Sequence, residues 1–397
     1  MSSIPGYLEA KLQFLRLTFK TTLPSSPEQE PSCKRPRRLV SIQPINLERP
    51  VLWCEICVDL LSGPNRNSRS AIPVSIGALE PVEPKSAPAV MDESTPSTEE
   101  LFLVLYCTID ELYQEVAPDR VRTRPGSDRL EMSDPEIITL SVMQEGRSNG
   151  SELSFHRMVE KDYQHLFPGL ISRSRYHRRR KDLMGIQREI LRLLMDRLQA
   201  SAAWLIVDSA PITVAESPRW KSARMSMWAA EAGYCPSKRQ FFLGFRLHAL
   251  VSNQGAICDF VLSPANVGER RVAEHLLAVE ADRTKLRPVL ADNGYCGDRL
   301  ANLFGRRGGQ LWYALRRSQS PDSKEEMALR AWHRGKRARI ESVFGSLADQ
   351  FQVEETRARS VWGAMTRVVA KLLAYMVGYR INQALGRRQT ALKSLYR

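Results

Sequence analysis

The order of apolar patterns in this 397-residue chain predicts an α/β protein. A mainly helical region over about 91–200 precedes a mixed sheet flanked by helices over about 201–386, with an extension ahead of them and a short basic tail, 387–397, behind. Three observations carry that reading. Apolar residues recur at helical spacing from Thr98 to Ala200. At Ala203 they contract into short runs of strand length that alternate with helices. Residues 1–90 have neither pattern.

In that first stretch Pro, Ser and Glu cluster at Leu23–Pro31, a basic run follows at Lys34–Arg38, and Pro/Ser punctuation returns through Ser70–Thr98. Such segments bury little apolar surface, so 1–90 is expected to be a disordered extension. The Lys34–Arg38 cluster reads as a solvated tail.

The helical region opens on Ser97-Thr98-Glu99-Glu100, a capping pattern ahead of the stripe Leu101, Leu105, Ile109 and Leu112. Ser133-Asp134-Pro135-Glu136 is a second start signal, with a cap residue, a Pro in the first turn and an acid at the positive end of the dipole. Helices are further predicted over Ser154–Tyr163 and, as one long rod, over Ser174–Ala200. The rod begins with Arg175, Arg178, Arg179 and Arg180. Short helices followed by a basic one suggest DNA contact of helix-turn-helix type. A plain bundle with a solvated basic face is the alternative.

Trp204-Leu205-Ile206-Val207 is an apolar run that predicts a buried strand ending at Asp208. Phe241–Val251 and Ala256–Leu262 flank Ser252-Asn253-Gln254-Gly255, a hairpin signal. Then come a helix over Gly268–Ala281, a strand Pro288–Ala291 ending at Asp292, a helix Asp298–Arg306, a strand Gln310–Leu315 and a helix Lys336–Phe351 with Ile340, Phe344, Leu347 and Phe351 on one face.

Composition excludes several classes. The hydrophobic fraction of 43% and charged fraction of 26% are globular values, not those of a fibre. No run approaches the length of a membrane span; Val368–Tyr379 is broken by Lys371. The first 20 residues do not read as a secretory signal, so a cytoplasmic, nucleoid-associated protein is expected. Seven scattered cysteines make no disulfide framework, and Cys54-x-x-Cys57 has no second pair at zinc-finger spacing. Residues 201–397 hold 31 Lys and Arg against 17 Asp and Glu, which equals the whole surplus of +14. A surplus confined to one half fits a polyanion, and with no apolar-faced basic helix for lipid, nucleic acid is favoured.

Two acids stand where strands are predicted to end. Strand ends in an open α/β sheet form the crevice that holds ligands, so Asp208 and Asp292 can converge there. Glu341, next to Ile340, lies at the edge of a packed helix face. Three carboxylates together need a cation, and hard oxygen donors suit Mg²⁺, with Mn²⁺ as substitute. Two such ions about 4 Å apart serve phosphodiester displacement. Taken singly, each acid is a turn or surface residue; the joint pattern in a basic half is what points to chemistry. Glu269 and Asp298 are read as bystander acids. Lys336, Arg337 and Arg339 are placed to hold phosphates beside the site, as are Arg178, Arg179 and Arg180 on the helical region. His248, on the same side of its strand as Arg246, is read as structural. Trp220 and Trp228 are candidates to stack on unpaired bases.

Asp208-Ser209-Ala210-Pro211-Ile212, Gly233-Tyr234-Cys235 with Phe242-Leu243-Gly244-Phe245-Arg246-Leu247-His248, Leu262-Ser263-Pro264-Ala265-Asn266-Val267, Ala291-Asp292-Asn293-Gly294-Tyr295 and Arg339-Ile340-Glu341-Ser342-Val343-Phe344 together resemble the DDE transposases of bacterial insertion sequences. The similarity covers about Met91 to Gly386, and Leu130–Leu140 makes the insertion-sequence 982 family the subgroup it most resembles. The resemblance implies a ribonuclease H-like catalytic domain, with Asp208, Asp292 and Glu341 as its metal-binding trio. It also implies metal-dependent cleavage of the element's own ends, joining to target DNA, and a homodimer in the synaptic complex. A tyrosine–arginine–glutamate–lysine signature known from a related family is met only at Arg339 and Glu341, with different spacing. Residues 1–90 have no counterpart and read as an upstream extension of the frame. A metal-dependent nuclease of the same fold and a catalytically dead DNA-binding remnant are the alternatives.

Overall fold

A computed structural model describes residues 95–147, 151–216, 230–235, 238–281, 287–295, 298–306, 308–313, 324–358 and 360–397. The expected extension over 1–90, its Lys34–Arg38 and Cys54/Cys57 motifs, and Trp220 and Trp228 lie outside these residues.

Both predicted capping signals form. Ser97 Oγ accepts from the Glu100 N–H at 3.3 Å while the Glu100 carboxylate accepts from the Ser97 N–H at 2.9 Å, opening α1 (Thr98–Val116). Ser133 and Glu136 repeat the arrangement at α2 (Asp134–Gly146). Each such cap stabilises its helix by about 1 kcal/mol. α3 spans Glu152–Asp162.

The single rod expected over Ser174–Ala200 is two helices, α4 (Arg173–Asp182) and α5 (Met184–Gln199), divided at Leu183. No Pro marks the break. α4 is polar and packs against α2, α3 and the later helix Val361–Ala384, whereas α5 buries Ile190, Leu191, Leu194 and Leu198 against that same helix and α1. The demand for two directions of burial divides the helix.

β1 (Leu205–Glu216), β2 (Glu231–Cys235), β3 (Gln240–Ser252), β4 (Ile257–Pro264), β5 (Val289–Ala291) and β6 (Leu311–Tyr313) form one mixed sheet. Along its main path the order is β2-β3-β1-β5-β6, with β4 also paired to β3. The β3–β4 hairpin forms as predicted, while β5 and β6 run parallel to β1. β1 differs from expectation by continuing eight residues past Asp208. It does so because Ser209–Glu216 pair antiparallel with β3. Pro211 is tolerated there: the Thr213 N–H, two residues on, points away from β3 to the Glu354 carbonyl at 2.7 Å, so the N–H that Pro211 lacks belongs to the same outer edge. β2 gave no sequence signal, since Glu-Ala-Gly-Tyr-Cys is a weak strand former and pairing with β3 supplies the order.

Helices cover both faces. α6 (Glu269–Ala281) and α7 (Asp298–Gly305) pack on the side of Leu205, Val207 and Val289. α8 (Lys324–Asp349) lies on the side of Ile206, Ile212 and Leu290, and begins twelve residues before the predicted start. α9 (Val361–Ala384) was not predicted as a helix. Its middle, Val368–Tyr379, is buried all round against α2 and α5, so it shows no period of burial. Through α9 the helical region and one sheet face share a single core. Among the described residues no helix is long and apolar enough to cross a membrane.

Candidate active site

β1 and β5 are adjacent and parallel, with Leu205 opposite Val289 and Ile206 opposite Leu290. Two residues further along each lie Asp208 and Asp292. Side chains alternate along a strand, so both acids fall on the α8 side, with Ile206 and Leu290. The sequence expectation that these two converge holds in the geometry.

What joins them is an arginine. Arg337 Nη2 donates to Asp208 Oδ2 at 2.7 Å, and its Nη1 lies 3.7 Å from Asp292 Oδ2. Asp208 Oδ1 accepts from the Ser209 N–H at 2.8 Å, and Asp292 Oδ1 accepts from the Gly294 N–H. Burial raises the Asp208 carboxyl, Arg337 pulls it down and the neighbouring Asp292 pushes it up again, leaving it at about 6. The one guanidinium does not outweigh burial. Arg337 is set in place by α8, whose Ile340, Val343 and Leu347 pack on the sheet. One turn earlier His333 is buried with Nε2 3.4 Å from the Trp312 carbonyl, and burial lowers its pKa. That imidazole ties the helix to the ends of β5 and β6 and was not singled out by sequence.

Glu341 follows Arg337 by one turn but is exposed. Among the described residues no three His, Cys, Asp or Glu side chains are close enough to hold a metal ion together. The structure thus pairs two of the three predicted acids and leaves the third on the adjoining helical turn.

The predicted phosphate contacts divide sharply. Lys336 is exposed, with its Nζ 5.9 Å from the Trp332 ring centre. With Arg339, Arg388 and Trp204 it lines an open groove of about 800 Å³. Arg337 is engaged by the two aspartates. Of Arg178, Arg179 and Arg180 on α4, only Arg178 is exposed. Arg179 turns inward to the Met132 carbonyl and Asp134 at 2.6 Å each, and Arg180, 3% exposed, pairs with Glu145 and Gln144. The expectation that both present charge to DNA is corrected: polar partners on α2 draw them into the fold. His248 is buried against Ser263 Oγ at 3.0 Å and held neutral by burial and by Arg246.

Glu269, read as a bystander, is part of the site. Its Oε2 lies 2.7 Å, and Asp292 Oδ1 2.8 Å, from the point where a Cβ on Gly294 would sit, so a side chain there would have to displace both carboxylates. No residue spacing in a single sequence marks this contact, which depends on how α6 crosses the sheet.

Residues 201–377 match the family model of the transposase DDE domain. No curated protein matches. A piggyBac transposase solved in a synaptic complex with hairpin DNA is similar with a TM-score of 0.39 and 11% identity, over 75% of this chain and 77% of that one. Over residues 201–377 the chain is similar to the DDE domain of transposases.

Proposed function

We propose that this protein is a metal-dependent transposase of a bacterial insertion sequence, of the insertion-sequence 982 type, built on a ribonuclease H-like domain. It cleaves the ends of its own element and joins them to target DNA. The observation that carries this reading is Arg337 reaching both Asp208 and Asp292, because a cation already takes the place between the two carboxylates.

The donor set fits a divalent ion. Two carboxylates with hard oxygens converge on one guanidinium, which suits them to a divalent ion. Asp208 and Asp292 would hold the ion, with Glu341 contributing from the next turn of α8. Bound Mg²⁺ or Mn²⁺, as a pair, supplies activation of the attacking oxygen and stabilisation of the leaving one. Lys336 and Arg339 hold the phosphates of the strand entering along α8. Arg337, on the same helix, moves from the aspartates to the DNA backbone. Bringing two element ends together calls for two copies of the chain.

The test uses Asp208→Asn, Asp292→Asn and Glu341→Gln with a terminal-repeat duplex and Mg²⁺. Each variant should lose cleavage, and strand transfer of pre-cut ends, while gel-shift binding persists. Full activity in any one of them removes that residue from the site. Cleavage without strand transfer in the wild type makes the protein a nuclease.

A further inference from the structure

Behind Asp208, on the α6 side of β1, lies a polar network that the proposed chemistry does not use. Ser209 Oγ donates to Glu269 Oε1 at 2.8 Å, and Arg246 Nη1 donates to the same oxygen at 3.0 Å. Arg246 Nη1 also reaches Ser209 Oγ at 3.2 Å, while its Nη2 donates to the Tyr234 carbonyl at 2.7 Å. The pair is sheltered, with Arg246 only 14% and Glu269 31% exposed. The other Glu269 oxygen flanks Gly294 opposite Asp292 Oδ1. Arg270, next on α6, donates from Nε to the Gly294 carbonyl at 3.0 Å and fixes the helix to that turn. Glu269 therefore touches the segments that carry both aspartates.

We propose that Glu269 is a positioning residue for Asp208 and Asp292 and that Arg246 is the charge it holds in check. Two physical effects act together. Ser209 is oriented through its hydroxyl, and its backbone N–H in turn orients Asp208 Oδ1. Glu269 also neutralises Arg246, keeping that positive charge engaged on the far face of the strand. Without Glu269 the guanidinium has no counter-ion and stands beside Ser209, one residue from Asp208. A divalent ion then meets repulsion where it should find only carboxylates. Partners behind a metal's own ligands typically change affinity or rate by about 10–100-fold when removed.

This inference rests on the reading of Asp208 and Asp292 as ion holders, and its test separates the two. Mn²⁺ binding to the full chain without DNA is measured by the paramagnetic resonance of the free ion. Glu269→Gln, which still offers Ser209 an acceptor, should weaken Mn²⁺ binding by about 10-fold or more. Arg246→Met should not weaken it, and the double variant should return to near the wild-type value. Glu274→Gln, on the same helix with its own partner Arg299, should change nothing. If Asp208→Asn abolishes Mn²⁺ binding while Glu269→Gln leaves it intact, the positioning role is wrong and the site stands. If Asp208→Asn also binds normally, the site reading itself fails. A double variant as weak as Glu269→Gln overturns the charge account. Should Glu269→Gln unfold, Ser209→Ala asks the same question, with an expected loss of about five-fold; no loss overturns the proposal.

Discussion

Two acids in this protein sit among cations, and their environments differ in balance. Glu145 on α2 is fully enclosed. Lys371 Nζ lies 2.7 Å and Arg367 Nε 3.4 Å from its oxygens, and Arg180 pairs with it as well. Burial alone would raise its pKa, yet the three cations outweigh burial and hold it at about 2. Asp208 is raised chiefly by burial, which one Arg337 does not outweigh and to which Asp292 adds, and it stands at about 6. A buried acid with cations in excess is a closed structural joint, here between α2, α4 and α9. An acid with too little positive charge around it is a place where a cation is still wanted.

The largest effect expected from this contrast is on stability. Glu145→Gln leaves three sheltered cations without their anion and should cost about 3–5 kcal/mol in denaturant unfolding. Asp208→Asn, measured without divalent ion, should stay within about 1 kcal/mol of the wild type, since it also removes repulsion from Asp292. Equal losses in the two variants would erase the distinction.

The pH dependence should then run in opposite directions. Glu145 stabilises the fold above its ordinary 4.5, and that contribution is lost as pH falls through about 2. Asp208, raised from 3.8, contributes stability that is full below pH 4 and is lost as pH rises through about 6. Unfolding curves of Asp208→Asn should lack the decline between those two values. Added Mg²⁺ should raise the wild-type melting temperature more at pH 7.5 than at pH 5, because only the ionised carboxylate attracts it (values on either side of the folded pKa of about 6).

Arg337→Gln tests the middle of the contrast. Losing a charged hydrogen bond should cost the metal-free fold about 1–2 kcal/mol. Mn²⁺ should bind more tightly, since its competitor is gone. Unchanged binding would mean that Arg337 does not occupy the cation's place.

The smallest effect belongs to Arg178→Ala. An exposed side chain of this kind should alter stability by less than about 0.5 kcal/mol. If Arg178 meets a phosphate, the slope of log affinity against log salt should fall by about one. Arg180→Ala should instead behave like Glu145→Gln, in unfolding curves rather than gel shifts.

Local signals were legible where local chemistry is sufficient. The capping boxes at Ser97 and Ser133, the Ser252–Gly255 turn and the apolar runs before Asp208 and Asp292 each specify their element through neighbours a few residues away. Once β1 and β5 pair in parallel, the two aspartates stand side by side, each two residues beyond the pair Ile206 and Leu290. The division at Leu183, the continuation of β1 and the existence of β2 depend on partners distant in the chain. α9 was hidden for a related reason: a helix enclosed on every side has no polar face to reveal its turn.

The sequence by itself determined the α/β order, the basic surplus of the second half and the apolar runs that lead into Asp208 and Asp292, since each follows from composition or from periodicity within one segment. Only the tertiary structure decided which charges are free to act. It drew Arg179 and Arg180 into the fold, set Arg337 across the two aspartates and brought Glu269 behind them. The physical reason is that a charge is defined by what surrounds it: burial and the sign of the nearest partners are properties of packing, and an amino-acid letter carries neither.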